Sequence, residues 1–198
     1  MMGFAATCER VVTSGFDGAS AVERDGAVRE LVLGASVAGA AACVQPIPLL
    51  DTVLLLPIHA TLVQAIARVH GYELDKKAVV EILGTFGVSI VARHAIRSAV
   101  RFIPGLGLIV GASMGYAMTY AIGEVADHYF RSGRGIPSAE LRTLFEETYR
   151  TKRAEKERAH ADDRSLKRKL EQLREAFDAG FLSGDEYAKM KEELLAGF

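Results

Sequence analysis

Glu124, Asp127 and His128 crowd one turn at the end of a long uncharged segment. Glu124 and His128 stand four residues apart, which puts them on one face of a helix. Two carboxylates beside an imidazole are donor types that a divalent metal accepts. The competing reading is a solvated helix end, and the other histidines favour it: His59, His70, His94 and His160 form no pair at metal-ligand spacing. Asp51 follows Pro46 and Pro48 and has the position of a helix N-cap rather than of a catalytic acid. Neither Cys8 nor Cys43 sits in a nucleophile signature. Cys43 lies in an apolar run and reads as a small buried residue, which fits a reducing compartment. No Gly-x-x-x-x-Gly-Lys-Ser/Thr loop occurs, so the usual phosphate cradle of a nucleotide hydrolase is missing. The expectation is a non-enzymatic chain with no catalytic, cofactor-binding or metal-binding residues.

The elements around these residues are helical in pattern, and no region keeps a period of two. The fold class expected is all-α: an apolar four-helix body with helical hairpins, a charged helical stalk and a small C-terminal helical hairpin. Proline and glycine punctuate the body. Its helices are expected near 27–44, over 51–70 with Pro57 bending or opening the helix, from about 76 to 102, and from about 105 to 130. Residues 1–26, with "TSGFDGAS" and "ERDG", read as a flexible N-terminal arm without a signal-peptide pattern. The domain division is then 1–26, 27–135, a charged linker at 136–163, and 164–198.

Charge separates body from tail. Residues 1–130 hold 9 Lys/Arg and 11 Asp/Glu, whereas the 68 residues from 131 to 198 hold 15 and 14. A net charge of −1 gives no electrostatic motive for nucleic-acid binding.

Glycines recur at 107, 111, 115 and 123, with Thr119 in the gap. Interior glycine costs a helix about 1 kcal/mol relative to alanine, so a row of them needs compensation. Small residues every fourth position let a second helix approach until backbones touch. Residues 27–44 offer matching edges, with Ala35, Gly39 and Cys43 in one row and Gly34, Ala38 and Ala42 in the next. The helix-packing residues expected are therefore Gly107, Gly111, Gly115, Gly123, Ala35 and Gly39.

Residues 31–50 and 102–123 carry no charge, runs of 20 and 22 positions, close to the length that crosses a bilayer core. Pro46 and Pro48 interrupt the first, while glycine, serine, threonine and tyrosine dilute the second. Between them, Arg93, Arg97 and Arg101 form a basic stripe on an amphipathic helix. Two readings stand for that stripe: a solvated bundle face, or contact with anionic lipid headgroups or a partner.

Two stretches resemble known families. "QPIPLLDTVLLLPIHATLVQAIARVHGYELD" and "FIPGLGLIVGASMGYAMTYAIGEVADHYF" resemble a bacterial domain of unknown function associated with Era-like GTPases. The shared features fall at Pro46 to Asp51, His70-Gly71 and Ile103 to Gly107, within about 27–135. The resemblance implies a helical domain at the inner membrane that works beside a GTPase on another chain. "LKRKLEQLREAFDAGFLSGDEYAKMKEELL" is similar to the short C-terminal domain called SHOCT, over about 164–198. From the residues themselves, Leu166, Leu170, Leu173 and Phe177 form an apolar stripe, Ser183 or Asp185 opens a second helix, and Tyr187, Met190, Leu194 and Leu195 face it. So short a unit must dock on something, most simply a second copy of itself.

The reading of function follows. A membrane-associated, self-assembling scaffold or effector is expected on the cytoplasmic side of the bacterial inner membrane, with lipid, further copies of the chain and a GTPase in trans as partners. The alternatives are a cytoplasmic helical adaptor that buries its apolar segments in a core, and a pore-like helical assembly.

Overall fold

The computed structural model describes residues 3–13, 15–43, 50–73, 79–80, 82–84, 106–178 and 183–196. The fold is all-α, with no strand among the described residues. The helices are α1 (Phe4–Thr13), α2 (Ala21–Ala42), α3 (Leu50–Val69), α4 (Leu106–Arg131), α5 (Ser138–Asp178) and α6 (Gly184–Ala196). Residues 79–80 and 82–84 are helical as well. The chain divides into two compact units, Met1–Ala154 and Glu155–Phe198, with the division falling inside α5.

The first unit is built on three mutually packed helices. The most extensive pairing is α2 against α4, followed by α2 against α3 and α3 against α4. Leu31 and Val32 of α2, Val63 and Ile66 of α3, and Val125 and Phe130 of α4 meet in one core, to which the start of α5 adds Leu141 and Phe145. None of the described helices is long and apolar enough to cross a membrane.

The N-terminal stretch, expected as a flexible arm, differs from that expectation. Residues Phe4–Thr13 form a helix, and Val11 and Phe16 enter the core at 6% and 2% exposure. A Cβ added to Gly34 would collide with the ring of Phe4, so the bare Gly34 edge seats α1 on α2. The Thr7 hydroxyl, fully buried, donates to the Glu30 carboxylate. The signal that moves the start of α2 from 27 to 21 is a capping box. Ser20 Oγ accepts from the Glu23 amide (3.3 Å), and the Glu23 carboxylate accepts from the Ser20 amide (2.9 Å), satisfying two amides that the helix itself leaves open.

Helix ends follow local chemistry. Pro57 lies inside α3. That helix closes at Gly71, whose φ of +82° is open to glycine and strained for other residues, while the Tyr72 amide donates to the Ala67 carbonyl (2.9 Å). α4 closes the same way through Gly133 and Arg134, both at positive φ, with the Arg134 amide donating to the Tyr129 carbonyl (3.0 Å).

In the second unit α6 opens on a capping box at Ser183, not Asp185. The Glu186 carboxylate accepts from the Ser183 amide (2.9 Å), and Ser183 Oγ accepts from the Glu186 amide (3.4 Å).

Candidate functional site

Gly111, Gly115 and Gly123 of α4 lie in the first unit's interior. At Gly115, an added Cβ would strike the Gly39 carbonyl oxygen and stand 2.7 Å from Cys43 Sγ. At Gly39 it would strike Thr119 Oγ1, with the Gly115 carbonyl oxygen at 3.0 Å, and at Gly123 it would lie 2.6 Å from Val32 Cγ2. Real Cβ atoms do not come that close to fixed backbone, so α2 and α4 touch along a seam that only glycine permits. Ala35 is partly buried against the same core. Gly111 is buried and Gly107 falls in the first turn of α4.

Polar side chains punctuate this apolar interior. His59, on α3, is 5% exposed, and its Nε2 lies 3.0 Å from Thr119 Oγ1. The Thr119 hydroxyl donates to the Gly115 carbonyl (2.9 Å), so a single chain of hydrogen bonds ties α3 to the seam. Burial pushes the His59 pKa down to about 4, because an imidazolium loses its hydration there. Ser36 donates to the Val32 carbonyl (2.6 Å). Among the described residues the buried Ser113 Oγ has no hydrogen-bond partner. His59 formed no part of the sequence-based site, since a lone histidine in an apolar helix names no neighbour by spacing.

A second polar chain spans one end of the helices. His70 Nε2 donates to Asp127 Oδ1 (2.7 Å), and Arg131 Nη2 donates both to Asp127 Oδ2 (2.9 Å) and to Asp25 Oδ1 (2.7 Å). Burial raises the Asp127 pKa, but the His70 hydrogen bond and the Arg131 charge outweigh it and hold the carboxyl below its usual range. Arg131 shifts upward: burial opposes its charge, and Asp127 and Asp25 more than offset this. Above this chain the Arg134 guanidinium stacks on Tyr72 at 4.7 Å.

The three residues whose spacing suggested a metal site take separate partners. Asp127 serves His70 and Arg131, His128 Nε2 lies 3.5 Å from Glu140 Oε1, and Glu124 bonds Tyr120. Among the described residues no group of three His, Cys, Asp or Glu side chains is placed to hold a metal ion. Cys8 and Cys43 are not joined in a disulfide, and burial raises the Cys8 thiol's pKa, which lowers its nucleophilic fraction. An open groove of about 300 Å³ between α4 and α5 is lined by Tyr120, Glu124, Glu147, Thr148, Thr151 and Lys152. Lys152 Nζ already rests 4.8 Å over the Tyr120 ring.

In the C-terminal unit Phe177 of α5 and Tyr187 of α6 pair at 4.8 Å between ring centroids. Leu173 is buried and Leu170 half-buried. The side chains of Leu166 and Leu194 lie outside the described residues, as do Arg93, Arg97 and Arg101 and the turn at 179–182.

Comparison of the chain with protein-family models, with curated proteins and with solved structures finds no match.

Proposed function

We propose that the chain is a non-enzymatic helical adaptor whose C-terminal hairpin joins copies of the chain to one another. The observation that carries this reading is the surface of the second unit. Phe177, Met190 and Leu195 are 38%, 44% and 52% exposed, in a unit of fewer than fifty residues. A unit of that size buries too little apolar surface to be stable alone, and association covers the remainder. A second copy is the simplest occupant, because identical hairpins form a closed two-fold contact. Light scattering on the full chain and on a chain lacking residues 164–198 tests the idea. The expected result is fewer copies per particle after truncation, with the helical signal of residues 1–163 retained. An unchanged number of copies per particle overturns it.

A second reading adds a lipid surface at the bacterial inner membrane. Val37 and Leu56 are 63% and 60% exposed, within stretches of α2 (31–42) and α3 (52–67) that carry no charge. Arg93, Arg97 and Arg101 would supply headgroup contacts worth about 1 kcal/mol each near an anionic surface. Flotation with phosphatidylglycerol vesicles tests this: co-flotation that weakens when the three arginines become glutamate supports it, and absence of co-flotation removes the membrane from the reading. The GTPase in trans is proposed from the resemblance, and a purified Era-like GTPase loaded with GTP or GDP is the partner to titrate.

A further inference from the structure

We propose that His59 makes the crossing of α3 and α4 an acid-sensitive joint, at which protonation of the ring loosens α3 from the glycine-packed α2–α4 pair. The Thr119 hydroxyl has a single hydrogen, and it goes to the Gly115 carbonyl. Thr119 Oγ1 therefore accepts from His59 Nε2, and the neutral ring carries its proton on Nε2 with a lone pair on Nδ1. Among the described residues Thr119 is the ring's hydrogen-bond partner. A second proton, added at Nδ1, would bring both a charge and an N–H donor into a buried site where the described residues show neither an ion pair nor a second hydrogen bond to the ring.

Among the described residues, α2, α3 and α4 carry no charged side chain over 31–42, 52–67 and 106–123. At the C-terminal cap of α2 the titratable group at this crossing is the Cys43 thiol, which lies against Gly115. On α4 the phenols of Tyr116 and Tyr120 occupy the same stretch. α2 has no charged residue from 31 to 42 and α4 none from 106 to 123, so Glu30 and Glu124 are the nearest on those helices. Along α3 itself the nearest are Asp51 and Arg68, each more than two helical turns away.

The site is also where a small change has leverage. The α2–α4 seam is held by backbone contact at Gly39 and Gly115, whereas α3 reaches this part of the seam through a titratable ring. A histidine neutral in the packed state, with a pKa of about 4, and ordinary in the open state, near 6.5, is protonated first in the open state. Opening is therefore favoured as pH falls from about 6.5 to about 4, and its equilibrium constant rises about 20-fold between pH 7 and pH 5.

Hydrogen exchange of the full chain at pH 7, 6 and 5 tests the joint, alongside His59→Gln, which keeps an N–H donor for Thr119 and takes up no proton. Corrected for intrinsic exchange rates, α3 amides of the wild type should open about 20-fold more at pH 5 than at pH 7, and those of the variant by less than about threefold. The same pH response in both proteins overturns the proposal. Should the variant fail to fold, imidazole nitrogen NMR of the wild type decides. A ring held as the neutral Nε2–H form below pH 5 supports the joint, and a ring that titrates near pH 6.5 with α3 still protected overturns it.

Discussion

Gly115 and Gly39 meet backbone to backbone, so that the space a side chain on Gly115 would need is filled by the Gly39 carbonyl and by Cys43 Sγ at 2.7 Å. This contact sets α2 and α4 at a separation that no other residue pair allows, and it makes glycine substitutions in the same protein diverge in sign.

Gly115→Ala should lower stability even though alanine favours a helix by about 1 kcal/mol. The added methyl meets backbone rather than a yielding side chain, and overpacking of that kind costs about 1–3 kcal/mol; Gly115→Leu should cost more. Gly26→Ala is the internal contrast, because nothing lies within 4 Å of its Cβ position in α2. It should raise stability by about 0.4–1 kcal/mol. Urea unfolding followed by circular dichroism measures both, and a stabilising Gly115→Ala would show that the seam yields.

Thr119→Val keeps the shape of the side chain and removes the hydroxyl. It leaves the buried His59 N–H without an acceptor, at a cost of about 1–3 kcal/mol. Thr119→Ser retains the hydroxyl and should fall well short of that loss. Equal losses in thermal melts would mean that the methyl, not the hydrogen bond, matters.

Asp127 ties His70, at the end of α3, to α4, so Asp127→Ala should destabilise by about 1–3 kcal/mol by stranding the largely buried His70 N–H, while the exposed Arg131 keeps Asp25. Arg131→Ala removes a more exposed group and should cost about 0–1 kcal/mol. The pH dependence has a definite sign. The folded carboxyl is held below its unfolded pKa, so its contribution is fully present above the ordinary carboxylate range and is lost as pH falls from about 4 through the folded value. In acid titrations of stability the Asp127→Asn chain should lack that part of the loss.

Leu173 is 7% exposed and the Phe177–Tyr187 ring pair joins α5 to α6. Leu173→Ala should cost the second unit about 2–5 kcal/mol, and Tyr187→Ala should remove about 0.5–1.5 kcal/mol of ring pairing beyond the lost area. Hydrogen exchange resolved to α6 reads these effects, with amides of α3 and α4 as the unaffected reference.

The helical class was legible from spacing and punctuation, because the 3.6-residue period and the placement of Pro and Gly are local properties. The same locality placed Gly115, Thr119 and Gly123 on one bare edge of α4 and separated a charged tail from an apolar body. Local signals also have limits that particular residues illustrate. The Ser20–Glu23 capping box was present in the sequence as S-x-x-E, yet glycines nearby made residues 1–26 read as an arm; burial of Val11 and Phe16 against distant helices turned that stretch into part of the core. Glu124, Asp127 and His128 share a turn; Tyr120 and Arg131 stand one turn away on the same helix, whereas His70 and Glu140 come from outside α4 and only packing brings them in. His59 gained its role from Thr119, sixty positions away. Periodicity fixes which side of a helix is bare or apolar; the neighbour that covers it, and hence each buried proton and each carboxylate's partner, is decided by long-range packing that no local pattern encodes.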